Sequence, residues 1–251
     1  MAKPNLVFYD IKSNIPGLST SPNTLRVRLA LNYKNLPYET VWSEGPDIEK
    51  TCIAAGIPPL EKRADGSPRY TLPALVDRTN PDAPVRLTDS RKIIDYLEKT
   101  YSTTDRQRAL FPPDTRAFQA LSDSYFDQNI NPLVFPLIMY RMSQKQSERA
   151  RKGFEKYAPP GKTLEEADLR GKEREEAWAR LREALDKLAS HAEGDVFFSR
   201  DNLRYFDIHV LAGLVAIKLS IGDEEFKKEL GSSAGGRWTK LVEKCAGLIR
   251  G

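Results

Sequence analysis

The first hundred residues alternate short apolar runs with segments whose apolar residues recur at helical spacing. The apolar runs predict strands at 5–10, 38–42, 70–77 and 85–88. The helical spacing predicts helices at 22–35, 46–56 and 89–101. The resulting order, βαβαββα, indicates an α/β unit with a mixed sheet. We expect the stretch 58–69, rich in proline, glycine and charge, to be a loop.

Helical periodicity dominates the chain after residue 115. One long pattern covers 115–143, in which Pro132 and Pro136 predict kinks. Thr163 and Glu166 resemble a capping box and predict the start of the next helix. The segment 204–220 is apolar on nearly all sides, which is typical of a buried central helix. Two shorter helical segments close the chain, at 223–230 and 237–249.

A polar stretch separates these two halves of the chain. Residues 102–114 contain Pro112-Pro113 and lack apolar periodicity, so they predict a linker. We therefore expect an α/β domain over 1–101 and an all-helical domain over 115–251. The length of 251 residues accommodates two small domains, and 40% hydrophobic with 29% charged residues indicates a globular protein.

The charges argue against a nucleic-acid partner. The net charge is only +4, and the basic residues alternate with acidic ones rather than forming the stripe that phosphate backbones need. No apolar run approaches the ~20 residues of a membrane span, and the N-terminal residues lack the apolar segment of a signal peptide. We expect a cytoplasmic protein without a membrane partner.

Cysteine and histidine are scarce. Cys52 and Cys245 form no CxxC pair and no disulfide framework, which favours a reducing compartment. His191 and His209 are the only histidines, and a metal site needs several ligands close together. We interpret both histidines as structural, with His209 beside Asp207, and expect no metal.

Ser21 is the first candidate for chemistry. It precedes Pro22 where the loop after the first predicted strand meets the first predicted helix. Backbone N–H groups at a helix N-terminus lack intrahelical partners, and the helix dipole there favours negative charge. A serine hydroxyl at that point could hold an anion such as a thiolate. The alternative is a plain helix cap, because serine is a favoured N-cap and proline is favoured at the next position.

Two further sites suit a peptide ligand. Pro73, in the segment 71–75, heads a predicted strand, and a cis bond before it would turn the backbone of Leu72 outward, towards a ligand. Asp89 and Ser90 open the helix after the last predicted strand, where Ser90 and the helix N-terminus suit a carboxylate and Asp89 suits an ammonium. The alternative at this second site is again a helix cap.

These elements, in this order, resemble a cytosolic glutathione transferase. The resemblance rests on Ser21-Pro22 with Arg26, on the 71–75 strand, on Asp89-Ser90, and on Asp207-Ile208 in the central helix. It covers nearly the whole chain. The stretch from Tyr9-Asp10 to Asn23, the long 58–69 segment and the chain length resemble the fungal Fu-A class, which is related to bacterial glutathione-dependent β-etherases.

The resemblance implies a thioredoxin-like domain that binds glutathione as co-substrate, followed by an all-helical domain that helps to form a second-substrate pocket. Ser21 would stabilise the thiolate, with Asn23 as a second donor. The resemblance also implies a homodimer. The implied glutathione contacts are Trp42, Thr71, the Leu72 backbone beside Pro73, Asp89 and Ser90.

Some positions depart from the family pattern. Asp89 stands where many members have glutamate, and Arg204 replaces the cap serine or threonine three residues before Asp207, which should weaken that cap. The long 58–69 segment leaves three candidates for the cation that holds the glycyl carboxylate. They are Lys50, Lys62 and Arg63.

The second pocket should lie between the 11–20 loop and the 115–143 helix. Its candidate residues are Ile15, Pro16, Tyr125, Phe126, Met139 and Tyr140. An aromatic helix can equally belong to the core, because aromatic residues dominate cores. If these residues line the pocket, the electrophile is apolar and aromatic.

The resemblance leaves several functions open. The first is a transferase that activates glutathione for attack on hydrophobic electrophiles. The others are a ligandin-type binder of hydrophobic or phenolic compounds, a glutathione-dependent β-aryl ether cleaving enzyme, and an interaction module. The serine and the Asp-Ser pair argue against a pure interaction module, which would not need them.

Overall fold

The computed structural model describes residues 3–102 and 108–250. Its strands are β1 (Leu6–Ile11), β2 (Tyr38–Ser43), β3 (Glu61–Lys62), β4 (Pro68–Arg69), β5 (Ala74–Asp77) and β6 (Val85–Thr88). Its α-helices are α1 (Pro22–Tyr33), α2 (Ile48–Ala54), α3 (Ser90–Thr100), α4 (Arg116–Asn129), α5 (Asn131–Gln144), α6 (Glu148–Arg151), α7 (Gly171–Ala189), α8 (Tyr205–Ile221), α9 (Asp223–Leu230), α10 (Arg237–Lys244) and α11 (Ala246–Arg250). None of the helices in these described ranges is long and apolar enough to cross a membrane.

The first half forms a mixed sheet in the strand order β2-β1-β5-β6. β1 runs parallel to β2 and antiparallel to β5, and β5 runs antiparallel to β6. The predicted α/β unit is therefore confirmed. β5 is shorter than the predicted strand 70–77, because pairing starts only at Ala74, after a proline that has no N–H to donate.

The 58–69 segment is not simply a loop, as predicted, but contains the β3–β4 hairpin. Leu60 N donates to Arg69 O at 2.8 Å, and Arg63 N donates to Ser67 O at 2.8 Å. The turn is made by Asp65, whose carboxylate accepts from Ser67 N, and by Gly66, whose φ of 82° suits glycine. Strands of two residues are too short to show a period-2 pattern in the sequence.

The second half is helical, but two of the helices predicted from the sequence are each divided into two shorter helices. The predicted 115–143 helix is two helices, α4 and α5, that separate at Ile130. Pro132 lies in the first turn of α5, where its missing N–H is tolerated, while Pro136 lies inside α5. The predicted 237–249 helix likewise breaks at Cys245, between α10 and α11.

Thr163 and Glu166 form the reciprocal hydrogen bonds of a capping box. Thr163 N donates to Glu166 Oε2 at 2.8 Å, and Glu166 N donates to Thr163 Oγ1 at 3.2 Å. They close a single turn, however, and α7 begins only at Gly171. The expected helix start at this pair was therefore wrong by about two turns.

The described part of the predicted linker packs against both halves of the chain. Leu110 is fully buried, its N–H donates to Glu98 Oε1 at 3.0 Å, and its carbonyl accepts from Tyr205 N at 3.1 Å. Residues 103–107 of that linker lie outside the described residues. The domain boundaries at 101 and 115 stay predictions.

Helix α1 joins the two halves into one core. Every residue from Thr24 to Leu31 is buried, because α1 packs against α3 on one side and α8 on another. The hydrophobic core that contains α1 runs without interruption into α8, which is buried almost throughout, as predicted. The sequence analysis did not anticipate that Arg26 and Arg28 would be buried as well.

Arg28 is buried between charge and aromatic rings. Its Nη2 lies 2.9 Å from Asp10 Oδ2, and its guanidinium carbon lies 5.0 Å from the centre of the Trp42 ring. Burial raises the pKa of Asp10 above its usual value, although the attraction of Arg28 opposes that shift. This buried pair fixes α1 against β1 and β2.

Candidate active site

Ser21 lies at the N-terminus of α1, immediately after the loop that follows β1. It is half-buried and occupies the N-cap position with an extended backbone, at φ −75° and ψ 121°. Its carbonyl accepts from Thr24 Oγ1 at 3.1 Å and from Leu25 N at 3.0 Å. Its hydroxyl, in contrast, makes no capping hydrogen bond within the described residues. The plain-cap interpretation therefore leaves the hydroxyl unexplained, and that group is available to a ligand.

The Leu72–Pro73 peptide bond is cis. Leu72 and Pro73 stand just before β5, so the main chain of Leu72 lies outside the ladder, which begins at Ala74. Its side chain is buried against β1 and α2 in a small cluster that includes Cys52. Thr71, which precedes it, is half-buried, and its carbonyl accepts from Thr88 Oγ1 at 3.5 Å. These positions leave the Leu72 backbone free of the sheet, as its expected contact with a peptide requires.

Asp89 and Ser90 start α3, next to the end of β6. Asp89 is the N-cap, and its Oδ1 accepts from Arg91 N at 2.9 Å and from Lys92 N at 3.1 Å. The structure therefore shows the capping alternative for Asp89 Oδ1, whereas Oδ2 takes no part in these cap bonds within the described residues. The backbone of Asp89 has a φ of 80°, which is strained for a residue with a side chain and is typical of functional sites.

Other predicted glutathione contacts lie in more ordinary surroundings. Trp42 packs on the guanidinium of Arg28, a contact with α1 that accounts for its position without a ligand. Asn23 is exposed in the first turn of α1, near Ser21 in the chain. Arg63 donates to Ser67 Oγ and to the Pro68 carbonyl within its own hairpin, whereas Lys50 and Lys62 are exposed. The cation for a glycyl carboxylate stays unassigned.

The residues predicted for the second pocket do not gather in one cavity. Phe126 is only 3% exposed, and its ring packs 4.5 Å from that of His209, so it belongs to the core, which was the alternative left open. Tyr125 lines a cavity of 580 Å³ together with the exposed Phe118 and Leu121. The lining of that cavity does not include the remaining candidates, which are Ile15, Pro16, Met139 and Tyr140.

A buried charged cluster next to α3 escaped the sequence analysis. Asp123 is 1% exposed and lies 2.6 Å from Arg91 Nε and 3.7 Å from Arg26 Nη1. Its carboxylate also accepts from Tyr205 OH at 2.8 Å and pairs with His209 Nδ1. Burial alone would raise the pKa of Asp123, but the hydrogen bond and attraction of His209, with Arg26 and Tyr205, lower it to about 2.

His209 therefore pairs with Asp123 rather than with Asp207, beside which the sequence placed it. Asp207 faces the other way, and its carboxylate accepts from Phe198 N at 2.7 Å and from Arg204 N at 2.8 Å. Burial raises the pKa of Asp207 to about 6. This half of the cap uses the backbone N–H of Arg204 and does not depend on the side chain at that position, so the expected weakening of the other half stays a prediction.

These elements define a class of protein: a thioredoxin-like domain packed on an all-helical domain. Its first helix starts at a serine whose hydroxyl makes no capping hydrogen bond among the described residues, and a cis-proline loop follows. Family models agree with this description. Residues 20–100 match the glutathione S-transferase N-terminal domain, and residues 117–248 match the glutathione S-transferase C-terminal domain. The chain belongs to the glutathione S-transferase family, so the predicted family, fold and enzyme class are confirmed.

Solved fungal structures are similar over nearly the whole chain. Glutathione transferase GSTFuA3 from Phanerochaete chrysosporium is 33% identical, with a TM-score of 0.85 over 99% of this chain and 98% of that one. CsGST63524 from Ceriporiopsis subvermispora, solved in complex with glutathione, is 30% identical, with a TM-score of 0.86 over 97% of each chain. These similarities are consistent with the predicted Fu-A class.

One curated relative matches a shorter stretch. The glutathione S-transferase-like protein ustS of Aspergillus flavus is 35% identical over 102 residues, which are 38% of this chain. The match spans only 35% of the length of that relative. It therefore supports the family and carries no conclusion about a shared substrate.

Proposed function

We propose that this protein is a glutathione transferase in which the Ser21 hydroxyl donates a hydrogen bond to the sulfur of bound glutathione. The observation that carries the proposal is the Ser21 hydroxyl, which stands at the N-terminus of α1 without a capping hydrogen bond inside the described residues. The glutathione complex of the fungal relative CsGST63524 supports the choice of glutathione as co-substrate.

The chemistry follows from the acidity of the thiol. A free thiol has a pKa of about 8.5, and only the thiolate is a good nucleophile. A hydrogen bond from Ser21, together with the positive end of the α1 dipole, should lower that pKa by about one to two units. Glutathione at neutral pH would then be roughly half thiolate or more, and holding the electrophile nearby supplies most of the remaining acceleration.

The cysteinyl and γ-glutamyl parts of the tripeptide fit the other two positions. The free main chain of Leu72 would pair with the cysteinyl part of glutathione. The γ-glutamyl ammonium would face Asp89 Oδ2, and its carboxylate would face Ser90 and the N-terminus of α3. Because α3 has 11 residues and Ser90 is its first residue, both the N-terminus of the helix and the Ser90 hydroxyl can bind that carboxylate.

The decisive experiment is a thiolate titration of bound glutathione by ultraviolet absorbance. Ser21→Ala should raise the pKa of the bound thiol by about a unit or more and lower conjugation at neutral pH at least about tenfold. Its affinity for glutathione should change only a few-fold, because the other contacts remain. Ser190→Ala, which removes a serine hydroxyl at the end of α7, is the matched control.

An unchanged titration midpoint in Ser21→Ala would remove Ser21 from catalysis. Asn23→Ala then decides whether the neighbouring exposed amide supplies the hydrogen bond instead. If both variants titrate like the wild type, the backbone amides of α1 carry the effect alone.

A ligandin function is the second candidate, and the 580 Å³ cavity favours it. Apolar and aromatic side chains dominate its walls, among them Phe118, Leu121, Tyr125 and Phe198. Such a surface suits bulky apolar aromatic compounds, including phenolics. Displacement of a fluorescent dye by a phenolic ligand, compared with turnover of a generic aromatic electrophile, separates storage from catalysis.

We also infer a homodimer that uses the outer face of α4. Phe118 and Leu121 are 69% and 68% exposed, and they stand three residues apart on that face. Large apolar side chains that are this exposed side by side mark interaction surfaces. A permanent dimer interface would bury on the order of 2,000 Å² or more.

We further infer a reducing compartment, with the cytoplasm as the expected location. Cys52 and Cys245 are both free and buried, and burial raises the pKa of each thiol to about 11. These are inert structural thiols, as expected of a protein that works alongside reduced glutathione.

A further inference from the structure

Gln146 connects the helical domain to the loop that carries Ser21. It lies in the turn between α5 and α6 and is 1% exposed. Its Nε2 donates to Thr20 Oγ1 at 3.0 Å, across 126 positions of the chain. Thr20 is 2% exposed and immediately precedes Ser21. The side chain of Gln146 is therefore one residue away from the proposed thiolate donor.

The same turn holds the far end of that loop. Asn14 N donates to the Lys145 carbonyl at 2.7 Å, and Asn14 Nδ2 donates to the Gln146 carbonyl at 2.9 Å. The loop from Lys12 to Thr20 is thus fixed to the helical domain at both ends. Next to the first attachment, Ser13 Oγ donates to the Leu18 carbonyl at 2.7 Å and closes the loop on itself.

The position of the turn is itself secured from the other side. Ser147 Oγ donates to Glu44 Oε2 at 2.9 Å, and Arg149 Nη1 lies 2.6 Å from Asp47 Oδ2. Glu44 and Asp47 belong to the connection between β2 and α2. The turn and the start of α6 therefore contact two separate loops of the thioredoxin-like domain. These contacts hold the backbone of Gln146 in place relative to Thr20.

The polarity of Gln146 is not explained by stability. Its Oε1 is buried without a hydrogen-bond partner among the described residues, and an unsatisfied buried acceptor costs free energy. A methionine of similar shape would fill the same space without that cost. What glutamine adds is the bond from Nε2 to Thr20.

We propose that Gln146 is a positioning residue: through Thr20 it sets the place of the Ser21 hydroxyl at the N-terminus of α1. The proposal rests on the proposed thiolate-stabilising function of Ser21. A hydroxyl at the end of a loop keeps a fixed position only when surrounding hydrogen bonds hold that loop. A displacement of a reacting group by about 1 Å can lower the rate by up to about a hundredfold.

The test compares Gln146→Met with Thr20→Val, which removes the other end of the same hydrogen bond. Each should lower kcat by about threefold to tenfold and raise the pKa of bound glutathione, while KM for glutathione stays within about twofold. The double variant should be no worse than either single variant, because both remove one bond. Thr20→Ser keeps the hydroxyl and should have the wild-type kcat and the wild-type pKa of bound glutathione.

Gln144→Met is the matched control. Gln144 stands two residues away and is half-buried, and among the described residues its amide donates to Ser143 Oγ at 3.5 Å and to no other side chain. Hydrogen exchange of a peptide covering residues 12–24 gives a readout that needs no activity. Exchange there should rise in Gln146→Met and Thr20→Val, and it should stay at the wild-type level in Gln144→Met.

The outcomes separate this proposal from the proposed function. If Ser21→Ala shifts the thiol pKa but Gln146→Met leaves pKa, kcat and exchange unchanged, Ser21 keeps its role and the positioning proposal is overturned. Additive losses in the double variant, or equal losses in Gln144→Met, also overturn it. If Ser21→Ala itself has no effect, the proposed function fails first, and faster exchange in Gln146→Met would still show that Gln146 holds the loop.

Discussion

Asp123 should make the free energy of unfolding of this protein depend on pH in acid. The substitution Asp123→Asn should remove that dependence. Asp123→Asn replaces a buried carboxylate by a neutral amide of nearly the same shape. Four side chains surround that carboxylate: Arg26, Arg91, Tyr205 and His209. Because these partners favour the charged form, the folded state holds the proton more weakly than the unfolded chain does.

The magnitude follows from the pKa values. The pKa of Asp123 falls from 3.8 to about 2 on folding, a difference of just under two units. At about 1.4 kcal/mol per unit, the ionised carboxylate stabilises the folded protein by about 2 kcal/mol. Since the folded pKa is the lower one, this contribution is fully present above pH 3.8 and is lost as the pH falls through about 2.

Urea unfolding followed by tryptophan fluorescence measures this contribution, since Trp178 and Trp238 are both buried. Wild type and Asp123→Asn should differ by about 2 kcal/mol at pH 7, and the difference should shrink as the pH falls below 4 towards 2.5. Asp127→Asn is the control, because this neighbouring side chain is 37% exposed and should contribute less than about 1 kcal/mol. A difference that is constant with pH, or that grows in acid, would refute the reasoning.

Two further predictions concern binding and assembly. Asp89→Ala should weaken glutathione binding by about 1–3 kcal/mol in calorimetry. It should also lower the free energy of unfolding by about 1 kcal/mol, because the α3 cap is lost. Unchanged retention of the variant on a glutathione matrix would contradict the binding prediction. Phe118→Glu and Leu121→Glu should convert the dimer to a monomer in sedimentation velocity at micromolar concentration, while Tyr157→Glu, an exposed aromatic elsewhere, should not. A wild type that sediments as a single chain would rule out the dimer.

Local signals in the sequence were enough to locate many of the strands and helices, though not the two-residue strands β3 and β4. Strand β6 and helix α9 have the predicted bounds, and α1 starts at Pro22, as the Ser21-Pro22 pair indicated. Helix starts are local features, since capping residues and N1 proline act within one turn. For the same reason the sequence placed Ser21 and Asp89 correctly at helix N-termini.

Features that depend on distant parts of the chain were not predictable. The contact between Gln146 and Thr20 joins positions 126 residues apart, and no local pattern marks either residue. The burial of Arg26 was missed because a periodicity analysis follows apolar residues and treats an arginine as exposed. Phe126 remained a candidate for either the pocket or the core, because helical spacing shows which face is apolar but not what covers that face.

The uninterrupted core around α1 has a consequence for chimeric proteins. Family models divide the chain into two sequence units, yet α1, the helix that Ser21 precedes, is buried between the two halves of the fold. Recombining the first half of this chain with the second half of a relative would exchange the α8 surface on which α1 rests. A substitution on that α8 surface therefore changes the packing of α1 as well as the helical half. The two halves of this architecture must change together during evolution.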